Sequence, residues 1–153
     1  MHPYLTSSIL NWERASNTTI QPLIKLQNKA MKLIRPTNQT SLNDSSLSAN
    51  ILCLPKLYNL SAGKFMHSYK NKMLPNKFDD YFAPVSSIHS YPTRQSTSNN
   101  LSLPEVNSSY GKCSLVFVGP KVWLSVPVCV KPSVTFTFKW KFAKHLYMKK
   151  IHN

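Results

Sequence analysis

Apolar side chains recur at helical spacing in the first third of the chain, and this pattern predicts a helix over residues 20–35. Thr18 or Thr19 caps its start, Pro22 fits the first turn, and Pro36 ends it. The predicted apolar face holds Ile20, Leu23, Ile24, Met31 and Ile34. The opposite face holds Lys25, Lys29 and Lys32. This lysine stripe is either a solvated face or a binding surface.

A second helix is predicted over about residues 56–73, where Pro75 follows and ends it. Its apolar and aromatic positions at helical spacing are Leu57, Tyr58, Phe65, Tyr69 and Met73. Gly63 weakens the middle of this helix because glycine is a poor helix former. Residues 37–49 are rich in Ser, Thr and Asn and predict a loop. Residues 1–82 are therefore predicted to form one helical segment.

Residues 83–110 predict a long extended linker, because prolines interrupt a stretch rich in Ser, Thr and Asn. The third predicted segment is residues 111–153, where the sequence changes from mainly polar to more apolar. Ser114–Val118 is a short apolar run that ends at Gly119-Pro120, which is typical of a short strand. The chain is thus predicted to be mainly α with a small β element.

Two periodicities overlap between residues 134 and 142. Apolar and polar residues alternate strictly, as in a strand, with the apolar set Val134, Phe136, Phe138, Trp140 and Phe142. A spacing of four, as in a helix, joins Val134, Phe138, Phe142 and Leu146. Periodicity alone slightly favours the strand.

The net charge of the chain indicates which class of binding partner it favours. The chain carries 19 basic and 5 acidic residues, which gives a formal net charge of +14, and no acid follows Glu105. A field of this sign favours polyanions, with nucleic acid first and an anionic membrane surface second. The alternative is a merely basic surface, or a fragment whose acidic complement lies elsewhere.

The length and composition of the chain argue against a multidomain, a membrane-spanning or a secreted protein. A chain of 153 residues holds one small domain at most. No stretch approaches the ~20 apolar residues that span a membrane, and residues 1–4 do not begin a secretory signal. Cys53, Cys113 and Cys129 form no C-x-x-C pair, which favours a reduced, intracellular chain that is not secreted.

The sequence predicts no catalytic or metal site. Asp79-Asp80 is similar to the aspartate pair of polymerases, but only Asp44 could supply the third carboxylate that two-metal chemistry requires. A bare dipeptide is a weak motif, so a helix end or turn is the better interpretation. The chain has three glycines in all and no phosphate-binding loop, so we expect no cofactor and no small-molecule substrate.

Aromatic residues alternate with lysines in the last part of the chain, around Trp140. Lysines in such a segment bind phosphates, and its rings stack on bases. The alternative is an amphipathic element whose rings pack inward while its lysines stay in water. The sequence leaves both alternatives open.

A collinear series of short motifs runs through most of the chain. It comprises His2-Pro3-Tyr4-Leu5, Trp12, Pro22-Leu23, Leu26-Gln27-Asn28-Lys29-Ala30, Ile34, Ile51-Leu52, Leu57-Tyr58, Phe65-Met66, Asn71-Lys72-Met73-Leu74-Pro75, Phe78, Phe82, His89-Ser90-Tyr91, Thr93-Arg94, Gly111, Ser114, Gly119-Pro120-Lys121-Val122-Trp123, Pro127 and Phe138-Lys139. In this order the chain resembles the C-terminal region, downstream of the polymerase palm, of LINE-type (non-LTR) retrotransposon reverse transcriptase polyproteins. The resemblance favours a C-terminal helix over the strand, and we adopt the helix.

The resemblance implies a noncatalytic fragment of an RNA-directed DNA polymerase polyprotein, an incomplete single domain cut from a larger chain. It implies nucleic acid and the polymerase portion of the parent polyprotein as partners, no membrane, and a location in the cytoplasm or nucleus. Such a region is expected to help hold template RNA or target DNA. The candidate nucleic-acid-binding residues are Lys25, Lys29, Lys32, Arg94, Lys139, Trp140, Lys141, Lys144, Lys149 and Lys150.

Two alternative functions remain at this point. One is a protein-interaction or structural module that docks on the missing polymerase domain. Its docking surface would consist of Tyr58, Phe65, Trp123 and Trp140. The other is a transposon relic without a function.

Overall fold

A computed structural model of the protein describes residues 8–12, 17–34, 52–88 and 100–148. The α-helices of these residues are α1 (Ile9–Trp12), α2 (Asn17–Ile34), α3 (Leu54–Lys70), α4 (Val85–Ile88), α5 (Leu115–Ser125) and α6 (Thr135–Met148). Two short 3-10 helices are Asn76–Tyr81 and Gly111–Cys113. In the described ranges, strand pairing is limited to one antiparallel bridge between Pro84 and Leu101. The mainly α fold predicted from the sequence is confirmed.

The chain divides into two compact units. One unit combines Met1–Ser61 with Ala143–Asn153, and the other is Ala62–Phe142. The division falls within α3 and within α6, so each of these helices contributes residues to both units.

In the first unit, α2 confirms the helix predicted at residues 20–35, and its Pro22 lies in the second turn. Ile20 and Met31 are buried, whereas the three lysines of the opposite face are exposed. The side-chain amide of Gln27 donates to the carbonyl of Leu52 at 3.0 Å and accepts from the backbone N–H of Leu54 at 2.9 Å. This pair of hydrogen bonds ties α2 to the start of α3.

The second unit is built on α5, the C-terminal half of α3 and the first half of α6. Met66 of α3, Val118 and Val122 of α5, and Phe142 of α6 are all buried. A Cβ atom built on Gly119 would lie 2.6 Å from the sulfur of Met66, and one built on Gly63 would meet the ring of Phe142. The two glycines therefore let neighbouring side chains approach these helices closely.

The strand predicted at Ser114–Val118 is wrong. These residues lead into and begin α5, which continues through Gly119-Pro120, and Pro120 is fully buried. A short apolar run of β-branched residues cannot be distinguished from a buried helix by its periodicity. Burial of Val118, Val122 and Trp123 on this helix outweighs the weak local preferences and the hydrogen bond that Pro120 cannot make.

The helix adopted at the C-terminus is confirmed by α6, and the alternating pattern is not that of a strand. Phe138, Phe142 and Leu146 are buried, whereas Phe136 and Trp140 are exposed. A strand would place Phe136, Phe138 and Trp140 on one face, but the helix separates them. The spacing of four residues is therefore the one that the packing uses.

The predicted linker, residues 83–110, begins with the short helix α4 and continues beyond residues 89–99, which lie outside the described part of the chain. The backbone N–H of Val85 donates to the carbonyl of Asn100 at 3.1 Å, and that of Ser102 donates to the carbonyl of Ala83 at 2.9 Å. The extended form of this segment stays a prediction.

Candidate nucleic-acid interface

The helix α6 exposes two aromatic rings on the side opposite its buried stripe. Phe136 is 74% exposed and Trp140 is 68% exposed, whereas Phe138 and Phe142 are 0% exposed. The two exposed rings are four residues apart, so they lie on the same face, separated by about 6 Å along the helix axis. Of the two alternatives left open by the sequence, the inward-packed position is therefore wrong for Trp140.

Buried residues in the first half of α6 pack into the core of the second unit. The ring of Phe138 stacks on the ring of His67 with centroids 4.3 Å apart, and it lies 6.2 Å from the indole of Trp123. His67 is 1% exposed, and its Nε2 lies 2.7 Å from the carbonyl oxygen of Ser133. A carbonyl can only accept, so Nε2 carries the hydrogen and donates it. The start of α6 is thus fixed both by ring packing and by this hydrogen bond.

Lysines flank the exposed rings. At about 100° per residue, Lys139 lies on one side of Trp140 and Lys141 on the other. Both side chains are exposed, and so is that of Lys144, which is four residues beyond Trp140 on the same helix. We call Phe136, Lys139, Trp140 and Lys141 the ring face of α6. It presents flat apolar surfaces between positive charges, which is the combination that binds single-stranded nucleic acid.

The other candidate residues lie elsewhere. Lys25, Lys29 and Lys32 are exposed on α2, which belongs to the first unit. Arg94, Lys149 and Lys150 lie outside the described residues. Of the predicted residues, Lys139, Trp140 and Lys141 lie together on the part of α6 that belongs to the second unit, whereas Lys144 lies on the part that belongs to the first.

Sequence reasoning missed two lysines close to this helix, Lys70 and Lys131. The Nζ of Lys131 lies 5.4 Å from the centre of the Trp123 ring, in a cation–π position. Burial lowers the pKa of Lys131, and burial together with the positive charge of Lys131 lowers the pKa of Lys70. Their sequence positions give no signal of this proximity, because only the packing of α3 on the turn before α6 creates it.

The aspartate pair lies in the 3-10 helix Asn76–Tyr81, with both side chains exposed. The hydroxyl of Tyr69 donates to the carbonyls of Asp79 at 3.0 Å and Phe82 at 3.1 Å. Burial raises the pKa of Tyr69, and the charges of Asp79 and Asp80 add to this shift. No group of three or more His, Cys, Asp or Glu side chains suited to a metal ion occurs within the described ranges, which do not include Asp44.

The docking surface considered above is not formed as predicted. Tyr58 and Trp123 are 1% and 6% exposed, so both belong to the interior. Phe65 packs edge-on against Phe78, with ring centroids 5.6 Å apart. Trp140 alone of these four aromatic residues presents most of its surface to solvent.

Comparison with known proteins identifies no relative. No family model, no curated protein and no solved structure matches the chain. Across the residues that the structure describes, none of the helices is both long enough and apolar enough to cross a membrane.

Proposed function

We propose that the chain is a noncatalytic nucleic-acid-binding segment that holds single-stranded RNA or DNA through the ring face of α6. The observation that carries the proposal is the exposure of Phe136 and Trp140 between Lys139 and Lys141. The resemblance to the C-terminal region of LINE-type reverse transcriptases supports the same role. In that setting, the segment keeps template RNA or target DNA beside the polymerase portion of the parent polyprotein.

Exposure of both rings argues for a ligand with flat surfaces. Large aromatic side chains lose their hydrophobic contribution to folding when they remain in water, and contiguous exposed apolar surface commonly marks a binding site. Bases offer a π-face to each ring, and stacking tolerates any base sequence. The ring face therefore suits a nucleic acid of any base sequence.

The charges of α6 favour a nucleic acid over a neutral apolar partner. The helix contains Lys139, Lys141 and Lys144 and no acidic residue. Each lysine that neutralises a phosphate releases a counterion from the strand, which makes binding favourable at low salt. Bases within a duplex are already stacked, so the rings favour a single strand.

The lysine contacts predict a measurable salt dependence. If Lys139, Lys141, Lys144, Lys149 and Lys150 all contact phosphates, these five contacts contribute about −3.5 to the log–log slope of affinity against salt, since each contact on a single strand contributes about −0.7. The Lys139→Ala/Lys141→Ala double variant should have a slope shallower by about 1.4 and should lose affinity for unrelated sequences alike. Fluorescence anisotropy with a labelled oligouridine across a salt series measures this slope.

The matched control removes two charges elsewhere. Lys77 and Lys112 are exposed in the two 3-10 helices, so the Lys77→Ala/Lys112→Ala variant has the same net charge as the test variant. We expect the slope of this control to equal that of the unmodified chain. An unchanged slope in a folded Lys139→Ala/Lys141→Ala variant would remove the ring face from the binding site.

A further inference from the structure

Three lysines of the second unit surround the turn that precedes α6. The Nζ of Lys141 lies 3.4 Å from the hydroxyl oxygen of Ser133, and Lys131 precedes that serine by two residues. His67 of α3 contacts the carbonyl oxygen of Ser133 at 2.7 Å, and Lys70 follows His67 by three residues, so it lies near the same side of α3. Burial and the charge of Lys131 both lower the pKa of Lys70. We call Lys70, Lys131 and Lys141 the Ser133 lysine cluster.

We infer that the Ser133 lysine cluster is a phosphate subsite, which binds a backbone phosphate of the strand whose bases stack on Phe136 and Trp140. The inference rests on the proposed function and extends it to residues that the ring face does not include. It assigns Lys70 and Lys131, on α3 and in the turn before α6, to the path of the strand. Lys141 connects the ring face and the Ser133 lysine cluster because it belongs to both.

The backbone of the turn that carries Lys131 is held in place before any ligand binds. The backbone N–H groups of Val130 and Lys131 donate to the carbonyl of Pro127 at 2.9 and 3.3 Å, and that of Ser133 donates to the carbonyl of Val130 at 3.1 Å. The carbonyl of Ser133 in turn accepts from the buried ring of His67. A turn fixed in this way loses little conformational entropy when a phosphate binds.

The cluster brings like charges together at partly desolvated positions. Lys131 is half-buried, and its ammonium group lies over the face of the Trp123 ring. Its lowered pKa means that the folded chain holds this proton less tightly than the unfolded chain does. Below the unfolded-state pKa, the charge of Lys131 therefore lowers the free energy of unfolding. This loss disappears once the pH exceeds the unfolded-state pKa, because Lys131 is then neutral in both states. A phosphate would relieve both the desolvation and the repulsion between the lysines.

The test substitutes methionine for Lys131 in the full chain, which keeps an unbranched apolar stem over Trp123 while it removes the charge. Affinity for oligouridine at low salt should fall about tenfold, as expected for the loss of one charge-assisted contact. The salt slope should become shallower by about 0.7. The melting temperature without RNA should stay the same or rise, because a partly buried cation has been removed. Lys70→Gln should reduce the slope to a similar extent.

Lys121→Met is the matched control, because the Nζ of Lys121 lies 4.1 Å from the centre of the Phe117 ring in the same kind of contact. We expect its salt slope to be that of the unmodified chain. If the unmodified chain binds RNA but Lys131→Met and Lys70→Gln keep its slope, the phosphate subsite is wrong and the ring face stands. If the unmodified chain does not bind oligouridine, or binds only phosphatidylserine vesicles, both the proposed function and the subsite are wrong.

Discussion

Replacing Phe138 with alanine should lower the free energy of unfolding by about 3–5 kcal/mol, whereas replacing Trp140 with alanine should change it by less than about 0.5 kcal/mol. Phe138 is 0% exposed and packs on His67 and Trp123, so truncation leaves a cavity in the interior of its unit. Trp140 is two residues away but 68% exposed, so its ring contributes little to packing. Urea denaturation of the two single variants measures the contrast.

A small domain has about 5–15 kcal/mol of stability in total, so Phe138→Ala removes a large part of it. Phe138→Leu is the milder control, since it keeps an apolar side chain in the interior and should lose less. Equal losses for Phe138→Ala and Trp140→Ala would mean that the exposed and buried sides of α6 are assigned wrongly. That result would also remove the physical basis of the ring face.

The second large effect concerns binding. Removal of a ring that stacks on a base should weaken single-strand binding by about 1–3 kcal/mol for each ring, so Phe136→Ala and Trp140→Ala should each lower the affinity clearly. The salt slope should stay nearly the same, because a ring carries no charge and releases no counterion. Anisotropy titrations at several salt concentrations separate this behaviour from that of the lysine variants.

Tyr110 provides the control for ring removal, because it is 89% exposed and lies outside α6. Tyr110→Ala should leave the affinity unchanged. A duplex of the same length should bind less tightly than the single strand and should be insensitive to Trp140→Ala. Equal losses for Tyr110→Ala and Trp140→Ala would show that exposed aromatic residues act nonspecifically.

The long helices could be predicted from the sequence where one apolar face is clear. In α2, Ile20 and Met31 are buried on the face predicted for them, and Lys25 lies on the exposed side. The bounds predicted for α3 were also close, since helix-spaced aromatic residues outweigh the single glycine in its middle. Amphipathic spacing identifies such helices because burial of one face determines both the pattern and the fold.

The rest of the fold depends on tertiary contacts that no local pattern contains. The pattern of Leu115–Val118 is compatible with a strand or a buried helix. In the folded chain it begins α5, in which Val118 is buried and Gly119 lies against Met66. The aromatic and lysine content of the candidate site was evident in the sequence. The exposure of Trp140 was not evident, because the alternating pattern would bury Trp140 beside Phe138, whereas the spacing of four leaves Trp140 outside the buried set.

The Ser133 lysine cluster is the part of the site that sequence reasoning could not find. Lys70 and Lys131 belong to different elements, and no spacing rule relates them. Hydrogen bonds in the turn and the contact with Trp123 hold Lys131, and the hydrogen bond from His67 to Ser133 holds the end of α3 against this turn. Long-range proximity of this kind follows only from the folded chain.

Tryptophan fluorescence during a titration with oligouridine is the most direct test of base stacking on Trp140. Stacking of a base on Trp140 should quench its emission, and saturation of the quench should coincide with binding measured by anisotropy. The chain has three tryptophans, and the difference between the unmodified chain and Trp140→Phe isolates the contribution of Trp140 because the variant keeps both Trp12 and Trp123. We expect most of the quench to be lost in Trp140→Phe while binding persists through the lysines and the smaller ring. Full RNA binding with no change in the emission of Trp140 would contradict base stacking on this residue.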